Sequence, residues 1–449
     1  MHLHWLTLVI LSTGLLLGCQ PQDPVDEAPA EPPDVSEPAF EPEPESPAVT
    51  DMEQSDLETL SLGNRDFALA AFQRLAASEQ ADDNLLVSPH SILSALAMVY
   101  AGAEGETRTQ MREALRFALD EPALHLAFQA LDEALEERSK IERDDDAKGF
   151  ELSIVNRLWG HHDYEFLSDY LDLVERHYGA GIERVDFESD TDEVRRQINA
   201  WVEEQTRERI QDLLPDGALN QDTRMVLVNA IYFLASWQEA FEEDQTRSEP
   251  FHRLDGSSVD VELMHKTADF QANVDEHTIA ISIPYLGEDV SLLAMMPAGT
   301  EDDFESWQAS LNRQRFDEIV AGLNRKKVAL DFPRFTTEGG FRLAELLKDM
   351  GMPQAFSPTE ANFKRMTGIG PGVLGQSLYI DEVFHQTFID LDEAGTEAAA
   401  ATAVVMMRLT AVPVEEEPLP IRFDRPFIYA IYDHPTDSIL FLGRMLDPE

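Results

Sequence analysis

One stretch decides the fold of this sequence: Asp392-Glu393-Ala394-Gly395-Thr396-Glu397-Ala398-Ala399-Ala400-Ala401-Thr402-Ala403-Val404-Val405. Its alanines would suit a short core helix, but the two threonines and the two terminal valines are β-branched and favour a strand. With the two-residue period of a strand, both threonines share a face with the alternate alanines, whereas Glu397 lies on the opposite face. The pattern therefore predicts a strand with one small, uncharged face that is suited to burial.

Helical patterns occur earlier in the chain. Ser88 and Pro89 are typical of an N-cap and a first-turn proline, and they predict a buried helix that ends near Gly102. A second helix is predicted from a capping-box pattern, Asp190 with Glu193, and its apolar stripe continues to about residue 214.

Strand patterns dominate the other segments. The almost continuous apolar run 226–233 predicts a strand that is buried on both faces. Asn229 interrupts this run, and a buried amide without hydrogen-bond partners would cost about 1–3 kcal/mol, so we expect it to be bonded. Further strands are predicted at 328–332, 379–391, 421–432 and 438–443.

The composition is strongly acidic. The 449 residues include 34 Lys and Arg against 86 Asp and Glu, for a net charge of -52. Such a chain would be repelled by phosphates, so nucleic acid is excluded as a partner. Residues 20–58 hold thirteen of the acidic residues and no basic ones, which leaves a charge of -39 on the remainder. This indicates adaptation to high salt, where screening weakens self-repulsion, or alternatively an acidic secreted protein.

The N-terminal region predicts export and lipid attachment. Residues 6–17 form an apolar run that is too short to span a bilayer but suits a signal peptide, although no Lys or Arg precedes it. It ends at Leu16-Leu17-Gly18-Cys19, which resembles a bacterial lipobox and makes Cys19 the expected lipidation site. We therefore expect a signal peptide at 1–18, an acidic, proline-rich, disordered tether at 19–58, and one folded domain at 59–449.

No catalytic motif in the sequence has the context that its chemistry requires. Residues 370–375 form a literal GxGxxG, but a proline interrupts it and no strand or helix flanks it as a dinucleotide site requires. The sequence has no GxSxG or HExxH motif. His161 and His162 are adjacent instead of sharing a helical face, which favours surface or structural histidines over metal ligands. We therefore expect neither an enzyme, nor a cofactor, nor a metal site.

From about residue 60 to its end, the sequence resembles the serpin family. The match is strongest in the hinge, from Glu393 to Thr402, and it is supported by ordered matches elsewhere: Asn84, Ser88-Pro89-His90-Ser91-Ile92, Asn156, Ile198-Asn199-Ala200-Trp201-Val202, Leu227-Val228-Asn229-Ala230-Ile231-Tyr232-Phe233, Asp424-Arg425-Pro426-Phe427 and Phe441-Leu442-Gly443-Arg444. The resemblance implies an α+β fold with a large mixed central β-sheet, additional sheets, about eight or nine helices and an exposed reactive-centre loop.

The resemblance also implies a function. An inhibitory serpin is cut in its reactive-centre loop by a serine protease, inserts the loop into its own sheet and traps the acyl-enzyme. The small, uncharged hinge is similar to that of inhibitory members. The alternative is a non-inhibitory serpin, a chaperone or ligand carrier, on the cell surface. We expect a monomer in the cell envelope that is attached to the outer membrane or cell surface through its lipid.

Roles for individual residues follow from the resemblance. The reactive bond is expected between Leu409 and Thr410, which favours chymotrypsin- or subtilisin-like proteases, or alternatively between Arg408 and Leu409, which would suit trypsin-like proteases. Thr396 is expected at or near the surface until it turns inward on insertion, so that Thr396→Arg would spare the uncut fold. The remaining positions are the hinge (Glu393, Gly395, Thr396, Glu397, Ala398, Ala399, Ala400, Ala401 and Thr402), the shutter (Ser88, Ser91, Asn229 and His385) and the breach (Trp237, Arg334 and Glu393).

Overall fold

Helices and two β-sheets make up the part of the protein that the computed structural model describes, namely residues 54–78, 83–141, 150–299, 304–373, 376–396 and 417–448. These residues contain ten α-helices, somewhat more than the resemblance implies, because two of them have only 6 and 4 residues. The helices are α1 Gln54–Ala76, α2 Pro89–Gly102, α3 Gly105–Ala114, α4 Glu121–Ser139, α5 Ser168–Tyr178, α6 Thr191–Gln205, α7 Phe304–Ser310, α8 Arg313–Ala321, α9 Ala344–Asp349 and α10 Lys364–Thr367.

The strands confirm the predicted α+β class. In chain order they are β1 Leu85–Val87, β2 Phe150–His161, β3 Ile182–Val185, β4 Met225–Ser236, β5 Arg247–His252, β6 Ser258–Val274, β7 Thr278–Pro284, β8 Val290–Pro297, β9 Asn324–Pro333, β10 Phe335–Arg342, β11 Glu382–Leu391, β12 Gly395–Thr396, β13 Leu419–Arg422, β14 Phe427–Asp433 and β15 Ser438–Met445.

A six-stranded mixed sheet carries the hinge. Its strand order is β10-β11-β12-β4-β2-β3, and β11 also pairs directly with β4. Strands β11 and β4 run parallel, with seven residues of each in register from Glu382 opposite Val226 to Phe388 opposite Tyr232. β2 runs antiparallel to β4 along almost its whole length. The two central strands, β11 and β4, are therefore long and lie in register over seven residues.

The second sheet has nine strands. Its order is β1-β15-β14-β8-β7-β6-β9-β13, and β5 pairs with β6 at its side. All its pairings are antiparallel except that of β13 with β9. Strands β14 and β15 are buried throughout, and helix α2, which is buried along its whole length, contacts both β15 and β4. Helix α2 therefore lies at the centre of the main core.

The six-stranded sheet is buried on both faces. Alternate β4 residues such as Leu227 and Ile231 belong to the main core, whereas Val228 and Ala230 belong to a second cluster that includes apolar side chains of α6. This explains why the sequence of β4 is almost continuously apolar. Helix α6 thus covers the outer face of the sheet.

Several predicted elements are confirmed with small changes. Helix α2 has Ser88 as its N-cap, and the Ser91 N–H donates to the Ser88 side chain. The predicted strand at 421–432 is wrong in one respect, because it is two strands, β13 and β14, that pair with different neighbours. Helix α1 begins at Gln54 and packs Leu57 against the core, so residues 54–58 belong to the folded domain and not, as expected, to the tether.

The end of α6 also differs from the prediction. The helix stops at Gln205 because Arg207 and Glu208 have φ angles of 52° and 64°, outside the helical region. Asp190 is the N-cap residue, but its side chain makes no capping bond, so the capping box is wrong. The apolar residues beyond the helix are buried because Asn199 holds the backbone of Leu214 with two hydrogen bonds, of 2.9 and 2.8 Å.

Among the described residues, no helix has both the length and the apolar character needed to cross a membrane.

Candidate functional site

The hinge enters the six-stranded sheet at one end of β11. Leu391, the last residue of β11, pairs antiparallel with Thr396, and Thr396 pairs on its other side with Ala235 of β4. Continuing the parallel register of β11 and β4 beyond Phe388 and Tyr232 would bring Leu391 level with Ala235. Thr396 lies between these two residues. The strands are therefore in contact over seven residue pairs and are separated at this end by β12.

A tight turn directs the chain into this gap. The Asp392 carboxylate accepts hydrogen bonds from the N–H groups of Ala394 and Gly395, at 2.8 and 3.1 Å. The Asp392 N–H donates to the Gly395 carbonyl at 2.8 Å. Burial raises the pKa of Asp392, whereas these two N–H donors act in the opposite direction. The turn therefore needs an acceptor side chain at its first position.

Only glycine fits at position 395. A Cβ atom on Gly395 would lie 2.0 Å from the carbonyl oxygen of Ala235, and its φ is +157°. The contact is with backbone, which cannot rotate away. Gly395 therefore allows the hinge to approach β4 closely enough to pair with it.

Thr396 is already buried in the uncut chain, and the expectation that it lies near the surface is wrong. Its side chain is 0% exposed, and its hydroxyl lies 2.7 Å from the phenolic oxygen of Tyr285. The cause is the gap between β11 and β4, which admits the first hinge residues. Thr396→Arg would bury a guanidinium without a partner in the uncut protein as well, so the expectation that it would spare the fold is also withdrawn.

The breach residue Trp237 contacts the hinge directly. Its indole N–H donates to the Asp392 carbonyl at 2.9 Å, and its backbone N–H donates to the Ala394 carbonyl at 3.0 Å. The indole stacks on Tyr285, with ring centroids 4.5 Å apart and planes 6° apart. Sequence reasoning missed Tyr285, because nothing near it in the chain indicates that it faces a hinge 111 residues away.

The second breach contact, between Arg334 and Glu393, is half buried. Arg334 Nη1 lies 3.8 Å from Glu393 Oε2, and the two side chains are 53% and 11% exposed. Glu393 is largely buried and also accepts a 2.6 Å hydrogen bond from the Thr246 hydroxyl. Thr246 was not identified from the sequence. The backbone carbonyl of Glu393 accepts from the Phe241 N–H at 2.8 Å.

The four shutter residues come together beneath the paired part of β11 and β4. His385 and Asn229 are directly opposite each other, and the His385 Nδ1 contacts Asn229 Oδ1. The Ser88 N–H donates to His385 Nε2 at 3.0 Å, so Nε2 is the acceptor and Nδ1 the donor. Asn229 Nδ2 in turn donates to the Ser91 hydroxyl at 2.5 Å. All four side chains are completely buried.

Two further polar groups complete this network. Asn156 lies opposite Asn229 on β2 and accepts a hydrogen bond from its Nδ2. Thr387 donates to the Leu86 carbonyl at 2.8 Å and so ties β11 to β1. Each is a polar residue within a strand-like run, the same signal that marks Asn229 in the sequence. Burial lowers the pKa of His385 to about 3, so this imidazole is neutral at physiological pH.

The remaining candidates lie outside the described residues. They are Cys19, the hinge residues Glu397, Ala398, Ala399, Ala400, Ala401 and Thr402, and the reactive-bond residues Arg408, Leu409 and Thr410.

Comparison with known proteins agrees with this geometry. Residues 62–448 match the model of the serpin family, described as serine protease inhibitor. An uncharacterised serpin-like protein of Thermococcus kodakarensis is 36% identical over 383 residues, which cover 85% of this chain and 84% of that protein. The leukocyte elastase inhibitor of Equus caballus is 34% identical over 399 residues, covering 87% of this chain and 100% of that protein.

Among solved structures, uncleaved ovalbumin is similar with a TM-score of 0.76 and 27% sequence identity, over 87% of this chain and 100% of that chain. The matched region includes the hinge turn, the breach and the shutter. The chain therefore belongs to the serpin family.

Proposed function

We propose that this chain inhibits a serine protease by acting as a substrate whose cleaved loop inserts into the six-stranded sheet. The observation that carries the proposal is the position of Thr396 between Leu391 and Ala235. The hinge already occupies the end of the gap between β11 and β4, and it runs antiparallel to both strands. Further insertion continues a pairing that exists in the uncut protein.

The register defines how far the loop can enter. Each residue after Thr396 pairs one position further back along both β11 and β4, so Val405 comes level with Glu382 and Val226, where the pairing of the two strands begins. The segment from Thr396 to Val405 then spans roughly 30 Å, at about 3.3 Å per residue. Residues beyond it, including the reactive bond, arrive at the opposite end of the sheet.

The faces of this strand also match. Thr396 faces the main core, so Ala398, Ala400, Thr402 and Val404 follow it onto that face. Glu397 falls on the outer face, at the end of the sheet. Only small or apolar side chains would therefore enter the core, and no charge would be buried there.

The chemistry at the reactive bond is ordinary acyl transfer. The protease serine oxygen bonds to the carbonyl carbon of Leu409, the bond from Leu409 to the nitrogen of Thr410 breaks, and that nitrogen takes up the proton and leaves as a new N-terminus. Insertion displaces the acyl-enzyme before water can attack the ester. The uncut protein is then a kinetically trapped state whose stabilising strand remains outside the sheet.

Incubation with a panel of serine proteases tests the proposal. We expect a denaturation-resistant complex of protease and serpin on a gel, together with a released C-terminal peptide that begins at Thr410. A peptide that begins at Leu409 would move the reactive bond to Arg408 and favour trypsin-like enzymes. If every protease that cuts the loop yields cleaved serpin and no covalent complex, the proposed inhibition is contradicted.

Thermal unfolding distinguishes the proposed inhibition from the alternative, a non-inhibitory chaperone or carrier. Loop insertion adds a central strand, so the cut protein should unfold at a much higher temperature than the uncut protein. Equal unfolding temperatures of cut and uncut protein would favour the non-inhibitory alternative.

We also propose that the protein is a monomer held in the cell envelope, at the outer membrane or cell surface, by acylation of Cys19. The proposal rests on the apolar run and the Leu-Leu-Gly-Cys sequence that ends it. One acyl chain gives only marginal binding, so two or more are required. Cys19→Ser should release the protein into the soluble fraction, and continued membrane association of this variant would contradict the anchor.

A further inference from the structure

Two histidines and an aspartate converge at the far end of β2. His161 is the last residue of β2, and His162 and Asp163 form the following turn. One donor atom from each residue lies within 4.8 Å of the others. The two imidazole rings stack, with centroids 4.6 Å apart. His162 Nε2 is 3.1 Å from Asp163 Oδ1, and His161 Nδ1 is 4.0 Å from Asp163 Oδ2.

The backbone fixes all three residues. The His161 N–H donates to the Arg224 carbonyl at 2.9 Å, and the His162 N–H donates to the Val185 carbonyl at 2.8 Å. The Tyr164 N–H closes the turn by donating to the His161 carbonyl at 3.1 Å. The side chains therefore converge because the strand ends between the two histidines, which removes the alternation that would have placed them on opposite faces.

The donor atoms contact one another and the backbone of the same turn. His161 Nδ1 accepts a long hydrogen bond, 3.3 Å, from the Asp163 N–H, and a metal ion at this nitrogen would replace that bond. The side chain of His161 is 4% exposed, and those of His162 and Asp163 are 47% and 76% exposed. His161 is therefore a fixed ligand, whereas His162 and Asp163 can adjust their positions. The site is open to solvent on the side of these two exposed residues.

A fourth residue can orient the site. Asp186 Oδ1 lies 4.0 Å from Nδ1 of His162, the nitrogen that faces away from Asp163. The same carboxylate is held in place by the N–H groups of Glu188 and Ser189, at 3.1 and 2.9 Å. The separation between Asp186 and His162 is longer than a hydrogen bond, and the half-exposed His162 ring would have to turn to close it. A carboxylate bonded behind a metal-bound imidazole fixes its tautomer and strengthens it as a ligand.

We propose that His161, His162 and Asp163 bind one divalent transition-metal ion of the zinc type, with Asp186 supporting His162. Zinc bonds to imidazole nitrogen and carboxylate oxygen are about 2.0–2.2 Å long. The donor atoms, which lie within 4.8 Å of one another, would move slightly closer together on binding, as the exposed side chains of His162 and Asp163 allow. Two imidazoles favour zinc, cobalt, nickel or copper over magnesium and calcium. Water supplies the remaining coordination position.

The site lies at the end of the six-stranded sheet opposite Thr396. Gly160 of β2 pairs with Met225, the first residue of β4, and Val226 is level with Glu382 at the start of β11. A bound metal would hold the turn after β2, which lies beside the first residue of β4. Through Asp186 it would also tie this turn to the end of β3. This proposal does not depend on the proposed inhibition, because binding is measured on the uncut protein alone.

Calorimetry with zinc on the full chain, previously stripped with a chelator, tests the site. A large excess of magnesium is included to occupy the acidic surface, because magnesium competes for carboxylates but not for imidazoles. We expect one zinc ion per chain. His162→Ala and Asp163→Ala should each weaken zinc binding at least about tenfold, and Asp186→Asn about tenfold, since supporting carboxylates contribute that much in known sites.

His277→Ala is the matched control, because His277 is also exposed and belongs to no such cluster among the described residues. It should leave zinc affinity unchanged. Cobalt bound at the same stoichiometry should give a visible spectrum that His162→Ala abolishes. Zinc binding that magnesium removes, or that His162→Ala and His277→Ala change equally, would overturn the proposal.

Discussion

The hydroxyl oxygen of Thr396 lies 2.7 Å from the phenolic oxygen of Tyr285, and both residues are completely buried. Tyr285 is fixed in turn by its stacking on Trp237. Burial raises the pKa of Tyr285 far above its usual range, so the phenol remains a hydrogen-bond donor at any physiological pH. Thr396 is therefore held between β11 and β4 by a specific hydrogen bond.

A double-mutant cycle tests this bond. Tyr285→Phe and Thr396→Val each leave one buried polar group without its partner. Each substitution should therefore lower the free energy of unfolding by about 1–3 kcal/mol. The double variant should lose little more than either single variant, because both substitutions remove the same interaction. Denaturant unfolding of the uncut protein measures these differences. Simple additivity of the two effects would show that the bond contributes nothing.

Acid should destabilise the protein through His385. Its pKa is about 3 in the folded state, against 6.5 for the free side chain, so the unfolded chain binds one more proton between these values. Stability is therefore retained above pH 6.5 and is lost as the pH falls below it, by at most about 1.4 kcal/mol per pH unit from this group. His177, whose pKa is lowered to about 4 by burial, contributes with the same sign.

His385→Asn isolates the contribution of the shutter. Asparagine keeps hydrogen-bonding capacity but cannot titrate, so the variant should show a shallower loss of stability on acidification, smaller by about one proton. His277→Asn, at an exposed position, should leave the slope unchanged. Denaturant midpoints measured across this pH range provide the comparison. An unchanged slope in His385→Asn would assign the acid sensitivity to other groups.

Salt should stabilise the protein. Outside residues 20–58 the chain carries a formal charge of -39, and this self-repulsion is screened as the Debye length falls from about 30 Å at 0.01 M to about 3 Å at 1 M salt. We expect the unfolding temperature to rise over this range in sodium chloride. A flat or falling unfolding temperature would be inconsistent with adaptation to high salt.

Local patterns predicted what depends on local chemistry. Helix α2 follows from an N-cap and a first-turn proline, and strand β4 from an almost continuous apolar run, and the structure confirms both. The breach and shutter positions came from the family resemblance, and the structure brings Trp237 to Asp392 and Ser88 to His385.

Other features depend on distant parts of the chain. Thr396 is buried because β11 and β4 separate at one end, which no pattern around residue 396 encodes. Tyr285 and Thr246 reach the hinge from other strands and turns, 111 and 147 residues away from their partners. His161 and His162 meet because β2 ends between them, and strand ends are the least predictable part of an element.

The last prediction concerns Thr402, and it rests on the proposed insertion. Thr402 is six positions after Thr396, so in the inserted strand it comes level with His385 and Asn229, on the face that Thr396 occupies. These two side chains are bonded to each other in the uncut protein, and an entering strand separates them. A hydroxyl can accept a hydrogen bond from His385 and donate one to Asn229.

Thr402→Val keeps the shape of the side chain but leaves both of these groups unsatisfied. It should raise the insertion barrier by about 1–3 kcal/mol and slow insertion about five- to 150-fold. With a protease that wild type traps, the variant should give more cleaved serpin and less covalent complex, whereas Thr402→Ser should behave as wild type. Equal trapping by Thr402→Val and Thr402→Ser would show that the inserted strand has another register or that the hydroxyl is not used.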